Sequence, residues 1–186
     1  IQIQSRASLG GNLCNASPSA DGICSLIVHE AECVIAGPNG VREIPVEDMC
    51  VGPGKNALSN GEFLVSIKIP LKNSTFSASY ERFIPRNEMD IAVAAVASSI
   101  SLENGKVASC RIALAAVGPT PIFAEEASKM LIGKEPTEEN IKNASSKAKE
   151  IATPISDMRG TVEHRKDLIE VLTRRTLSKA VERVGV

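Results

Sequence analysis

The chain has 186 residues, 43% of them hydrophobic, and its 21 lysines and arginines nearly balance 22 aspartates and glutamates. Such a chain buries a core, reads as soluble, and carries no field that would draw nucleic acid or an anionic membrane surface. One Tyr, four Phe and no Trp are a poor supply of base-stacking surfaces, and no apolar run reaches the ~20 residues of a membrane helix.

The first informative stretch is Ser8-Leu-Gly-Gly-Asn12, continued by Ala16-Ser17-Pro18 and Asp21. Gly10 and Gly11, ahead of a helix start, would leave backbone N–H groups bare at the positive end of the helix dipole, which makes either an anion seat or an ordinary tight turn. Asp21 is a candidate acceptor for sugar or ribityl hydroxyls and equally a cap for a helix from Gly22 onward. Residues 23–31 read as a short helix, 33–36 as a strand, and 41–46 as its hairpin partner across Asn39-Gly40. One helical turn over 47–51 leads into Gly52-Pro-Gly-Lys55, which is too rich in Gly and Pro for regular structure and lacks the spacing of a P-loop. Residues 62–69 form a strand stopped by Pro70, and the polar segment 71–75 reads as a connector between two units.

Beyond the connector, 76–84 alternates as a strand with Tyr80 and Arg82 on one side. The apolar run 91–100 suits a strand or a buried helix. Asn104-Gly105, between it and 106–117, is a hairpin signal that draws both runs toward antiparallel strands, giving a three-stranded meander. Past Gly118 the period becomes helical. Thr120 caps a helix that opens at Pro121 and stops at Gly133, with Phe123, Ala127, Met130 and Leu131 on one face. Thr137 caps a second, with Ile141, Ala144, Ala148 and Ile151 inward; Thr161 opens a third, whose inward set is Val162, Ile169, Leu172, Thr176, Ala180 and Val184. Arg174, Arg175 and Lys179 read as a solvated face. The second unit is thus strands followed by helices packed on one side, and the fold class is α+β.

The five cysteines at 14, 24, 33, 50 and 110 include no Cys-x-x-Cys pair and read as reduced thiols of a cytoplasmic protein, with Cys14 and Cys24 as small buried groups. His29 and His164 lie far apart, so no zinc-like ligand spacing occurs and no metal site is expected. The chain opens on Ile1 with no leader-like segment, and a processed or truncated start is expected.

The string from Ser8 to Asp21 resembles the second flavin-contacting motif of the FAD-binding subunit, or domain, of the molybdenum hydroxylases, the xanthine dehydrogenase and aerobic carbon monoxide dehydrogenase family. Similar segments follow in the family's order. They are Glu62-Phe-Leu with Ile69-Pro70, Arg86-Asn-Glu-Met-Asp-Ile-Ala92, Arg111 through Pro121, and Pro154-Ile-Ser-Asp-Met-Arg-Gly160 running into His164-Arg165. The resemblance covers essentially the whole chain. It implies that 1–72 is the C-terminal lobe of an FAD-binding domain and that 73–186 is the flavin subunit's C-terminal α+β domain, a three-stranded antiparallel sheet with a helical bundle.

By the same resemblance, Ser8, Leu9, Gly10, Gly11 and Asn12 lie along the pyrophosphate and ribityl portion of FAD, and Asp21 hydrogen-bonds the cofactor. Phe63 and Leu64 contact the ring region, Tyr80 sits close to the isoalloxazine, and Arg82 stands where many relatives carry a Lys. Arg86 and Asp90 are expected as a structural ion pair. The implied activity is that of an oxidoreductase component with no catalytic residue of its own, because the redox chemistry belongs to the cofactor. Electrons would pass from iron–sulfur clusters on a small subunit, reduced by a molybdenum–pterin large subunit, through FAD to an external acceptor. Molybdopterin and the 2Fe-2S clusters are thus expected on partner subunits of a hetero-oligomer. The family's other glycine-rich motif, in an N-terminal lobe, has no counterpart here, so the 186-residue chain alone is expected to bind FAD weakly or not at all. The competing reading is a non-catalytic assembly module with an incomplete flavin site.

Overall fold

The structure, a computed structural model, describes residues 5–86 and 89–184. Two short helices come first, α1 (Leu9–Cys14) and α2 (Asp21–Val28), followed by the hairpin of β1 (Glu32–Gly37) and β2 (Gly40–Pro45). Gly40, at φ +104°, supplies the left-handed backbone that this tight turn demands. A 3₁₀ turn (Val46–Asp48) leads to β3 (Cys50–Gly52) and β4 (Lys55–Asn56), which pair antiparallel. The Gly52-Pro-Gly-Lys55 segment is therefore regular, contrary to its composition. Proline pre-sets one turn residue and Gly54 takes φ +66° at the next, so the residues that argue against structure are those a two-residue turn requires. β5 (Phe63–Lys68) then pairs with the free side of β1, giving the order β2-β1-β5.

One bidentate contact locks this small sheet. Arg42 on β2 donates through Nε and Nη2 to the two Glu62 carboxylate oxygens, each at 2.8 Å, and Nη2 also reaches the Ala57 carbonyl at 2.8 Å. The Arg42 hydrogen bond, reinforced by the Ser59 N–H, holds the Glu62 carboxyl down from 4.5 to about 2. Because the folded value is depressed, the contact's stabilisation is fully present above pH ~4.5 and is lost as pH falls toward ~2. Urea midpoints measured across that window are expected to fall more steeply for the parent chain than for Arg42→Gln, in which the Glu62 carboxylate has no cation to lose.

The second unit holds β6 (Phe76–Phe83), β7 (Ala94–Glu103) and β8 (Lys106–Ala115), with Asn104 at φ 52° and Gly105 at φ 77° turning β7 into β8. The ambiguous run 91–100 is thus strand from Ala94 onward. Its lack of alternation has a simple cause: residues 94–100 are buried on both faces of the sheet. The sheet has four strands rather than three. β9 (Ile122–Phe123) adds to β8 through Ala113↔Phe123 and Leu114↔Ile122. The helix expected from Pro121 is consequently only α3 (Glu125–Lys129), preceded by Ala124 without a side-chain cap, and Thr120 caps nothing. An Ile-Phe pair beside an open strand edge gains ladder hydrogen bonds and cross-strand packing that a helix start would forgo. The Arg111 guanidinium stacking 3.9 Å over the Phe123 ring adds to that preference.

α4 (Glu138–Ile151) and α5 (Val162–Val184) follow as expected, with Thr137 Oγ1 accepting the Asn140 N–H at 3.3 Å and Thr161 Oγ1 the His164 N–H at 3.2 Å. Ile169, Leu172, Leu177 and Ala180 of α5 pack with Ala94, Val96, Ile100, Ile112 and Leu114 of the sheet, and Ile141, Ala144 and Ala148 of α4 complete that core. Val162 and Val184 are only half-buried.

The opposite face of the sheet carries alanines: Ala95, Ala97, Ala113 and Ala115 share a second core with Ile23, Leu26 and Ile27 of α2. The second unit's own helices thus pack on one side, as expected, and α2 of the first unit covers the other. Small side chains let α2 approach closely, and two groups from the sheet bind its last carbonyls. Ser99 Oγ donates to the Val28 carbonyl and Arg111 Nε to the Ile27 carbonyl, each at 2.9 Å. The five thiols are unpaired; four are buried and Cys14 is half-buried. No described helix is long and apolar enough to cross a membrane.

Candidate functional site

Ser8 adopts an extended backbone and begins α1. Its Oγ accepts the Gly11 N–H at 3.0 Å and its carbonyl the Asn12 N–H at 3.0 Å. The helix thus starts at Leu9, and the two glycines lie inside its first turn instead of ahead of it. Their value is space. A Cβ on Gly11 would stand 3.0 Å from Ser8 Oγ, crowding the cap, and one on Gly10 would face Leu64 of β5 at 3.5 Å. Bare helix backbone is therefore kept beside the start of β5.

Asn12 performs a task the sequence did not suggest. Its Oδ1 accepts the Gly22 N–H at 3.1 Å, so the start of α2 is capped from ten residues upstream. Asp21 is not the cap; it is the first residue of α2, after Ala20, which offers no side-chain bond. Gly22 makes the arrangement possible, since a Cβ there would come within 2.9 Å of Leu9 Cδ1 and 3.0 Å of Asn12 Oδ1. The only signal for it in the sequence was a glycine directly after the acidic residue.

Released from capping, the Asp21 carboxylate reaches β6. Oδ1 accepts from the Tyr80 hydroxyl at 3.0 Å and Oδ2 from Arg82 Nη1 at 2.6 Å. Two residues apart on a strand, Tyr80 and Arg82 project to the same side, as the alternation predicts. Burial, and after it the charge of Asp21, pushes the Tyr80 phenol above its ordinary value, so it stays protonated and serves as a donor. The Asp21 and Arg82 side chains remain 51% and 31% exposed. An ion pair this open adds at most ~1 kcal/mol to stability, and its main consequence is to fix where the carboxylate stands.

Leu64 lies opposite Ile35 and faces inward, packed on the second core with α2, whereas Phe63 lies opposite Ala36 on the outer face and is 61% exposed. Gly10 leaves the space beside Leu64 open, Asn12 bonds the Gly22 N–H, and Asp21 bonds Tyr80 and Arg82. Phe63, on the outer face of β5, stands apart from this arrangement. Donors and acceptors suited to hydroxyls and an anion thus stand beside two aliphatic side chains, Leu9 and Leu64, a donor set that fits a ligand with a polyhydroxylated chain and an apolar ring. Farther along, Arg86 and Asp90 form the expected pair at 3.4 Å, and Asp90 Oδ1 accepts the Ile91 N–H at 2.8 Å.

Two family models match the chain: the FAD-binding domain in molybdopterin dehydrogenase over residues 1–72 and the CO dehydrogenase flavoprotein C-terminal domain over residues 79–180. The xanthine dehydrogenase FAD-binding subunit of Escherichia coli O157:H7 is 30% identical over 99% of this chain and 63% of its own length. The carbon monoxide dehydrogenase medium chain of Afipia carboxidovorans is 32% identical over 98% of this chain and 63% of its own length. A solved carbon monoxide dehydrogenase from Hydrogenophaga pseudoflava, lacking the Mo-pyranopterin moiety of its molybdenum cofactor, aligns with a TM-score of 0.94 at 31% identity, covering 98% of this chain and 63% of that one. The chain thus spans under two thirds of the length of these relatives.

Proposed function

We propose that this chain, which belongs to the family of FAD-binding medium subunits of the molybdenum hydroxylases, holds FAD along α1, the start of α2 and the start of β5, and serves as the electron outlet of a multi-subunit dehydrogenase. The observation that carries this reading is the Asp21 carboxylate, held by Tyr80 and Arg82 beside the bare first turn of α1. Ser8, Leu9, Gly10, Gly11 and Asn12 supply the surface for the pyrophosphate and ribityl chain. Asp21 accepts from a hydroxyl of the cofactor. Leu64 borders the ring region, and Tyr80 and Arg82 hold the Asp21 carboxylate in its orientation.

FAD, when bound, supplies exchange between one-electron donors and an external acceptor. The protein's share is binding and orientation. Arg82 offsets the carboxylate's charge, and the protonated Tyr80 offers a hydrogen bond without adding a second anion. Iron–sulfur clusters and a molybdenum–pterin centre on partner subunits complete the proposed electron path. A reducing cytoplasm suits the five unpaired thiols.

The complete subunit, stripped of flavin and titrated with FAD, is expected to bind one equivalent, and the loaded complex to reduce its flavin when substrate is given to the molybdenum subunit. Flavin that binds but stays oxidised under those conditions would remove the electron-outlet role and leave only the binding role.

A further inference from the structure

The helix α1 is six residues long, and a helix so short does not hold itself together in water; its surroundings must keep it in place. Its exit is held in a regular way. From Cys14 to Pro18, every second carbonyl accepts from a donor outside the segment: Cys14 from Asn56 Nδ2 at 2.8 Å, Ala16 from the Gly54 N–H at 3.0 Å, and Pro18 from the Ala116 N–H at 2.7 Å. Ala16 is fully buried and adopts φ 49°, a left-handed conformation unfavourable for alanine, so the surroundings impose this path.

Two of the three donors come from the β3–β4 hairpin, which supplies none of the candidate flavin residues. The hairpin's exit is fixed in turn. The Ala57 N–H donates to the Met49 carbonyl at 2.9 Å, and the Ala57 carbonyl accepts from Arg42 Nη2 at 2.8 Å. The same Arg42 grips Glu62, the residue directly before β5 and two before Leu64. Asn56 therefore links the two walls of the candidate surface: it bonds the end of α1, and its neighbour Ala57 is tied through Arg42 to the start of β5. Those walls meet closely, since a Cβ on Gly10 would touch Leu64 Cδ2 at 3.5 Å.

Of the three donors, only Asn56 uses a side chain. Its amide is oriented, because Oδ1 accepts the Leu58 N–H at 3.2 Å and leaves Nδ2 for Cys14. Cys14 is the last residue of α1, and its carbonyl has no partner within the helix.

We propose that Asn56 is a positioning residue for the flavin: through the Cys14 carbonyl it sets α1, and with it Ser8 to Asn12, against Leu64 of β5. This rests on the flavin reading above and adds to it a residue that acts on the cofactor only through another.

The test is FAD titration of the flavin-stripped complete subunit, followed by fluorescence and by the visible circular dichroism of the bound flavin, which reads how the ring sits against its chiral surroundings. Asn56→Asp keeps the shape and the acceptor for Leu58 and removes the donor to Cys14. It is expected to raise the FAD dissociation constant by about tenfold and to change the flavin dichroism. Asn56→Ser still offers Leu58 an acceptor but falls short of Cys14; it is expected to behave likewise and keeps the test open should the carboxylate prevent folding. Ile169→Val, in the core under α5, is the control for stability alone: it is expected to lower the urea midpoint and leave both flavin readouts unchanged. A parent subunit that binds no FAD overturns the flavin reading and this inference with it. If the parent binds FAD and both Asn56 variants keep its affinity or its dichroism, Asn56 is merely structural and this inference alone falls.

Discussion

Asp21→Asn is expected to raise the FAD dissociation constant of the complete subunit by roughly 10–100-fold, the range of one charge-assisted hydrogen bond to a ligand. The side chain keeps its shape, so the loss isolates charge. Arg82 would then face a neutral amide, and Tyr80 would donate to a weaker acceptor. Stability should hardly move, by less than ~1 kcal/mol, because the pair is open to solvent. Tyr80→Phe should weaken FAD less than Asp21→Asn does, since it removes one orienting bond and leaves the carboxylate charged. Arg82→Lys is expected to fall between them, since an ammonium keeps the charge and loses the planar geometry. Flavin fluorescence titration reads all three. An unchanged dissociation constant in Asp21→Asn would take that residue out of the flavin site, and a collapse of the urea midpoint would show its role to be structural.

Arg165→Met is expected to destabilise the fold by about 3–5 kcal/mol, far more than any substitution at the solvent-open Asp21 pair. The methionine fills much of the same volume, so the deficit comes from polar groups left behind: two carbonyls, Val93 and Ala116, and the Asp157 carboxylate lose their donors in or near the interior. Arg165→Lys should recover part of the loss, because an ammonium reaches some of those acceptors but not all of them in one plane. Asp157→Asn should cost less than Arg165→Met, since Arg165 keeps both carbonyls. The Asp157 carboxyl is held below its usual range by the Arg159 N–H and by Arg165, so its contribution is present above the normal carboxylate pKa and fades as pH falls below it. Urea unfolding at neutral and acid pH measures each of these.

Much of the fold was legible because it rests on local chemistry. Asn39-Gly40 and Asn104-Gly105 turn their hairpins through residues that accept positive φ, and Thr137 and Thr161 cap α4 and α5. That Tyr80 and Arg82 project to one side followed from strand alternation; that both meet Asp21 did not. The misreadings were of another kind. Gly52-Pro-Gly-Lys55 became a hairpin because a facing strand was available, and Ile122-Phe123 became a strand because the edge of β8 was open. Composition reports what a segment prefers alone, and pairing depends on what stands beside it.

For the site, the sequence by itself determined the residue types: a hydroxyl cap, two adjacent glycines, an acidic residue, and a Tyr-x-Arg strand, in an order that resembles a flavin subunit. Only the tertiary structure decided their tasks. Asn12, a ligand candidate, also caps α2; Asp21 turned from cap to partner of β6, and Arg165 from one of many charges to a buried anchor. The physical reason is the same in each case. A polar side chain satisfies whichever donor or acceptor folding leaves unpaired nearby, and these partners lie 10, 59, 61 and 72 residues away, beyond the reach of any local pattern.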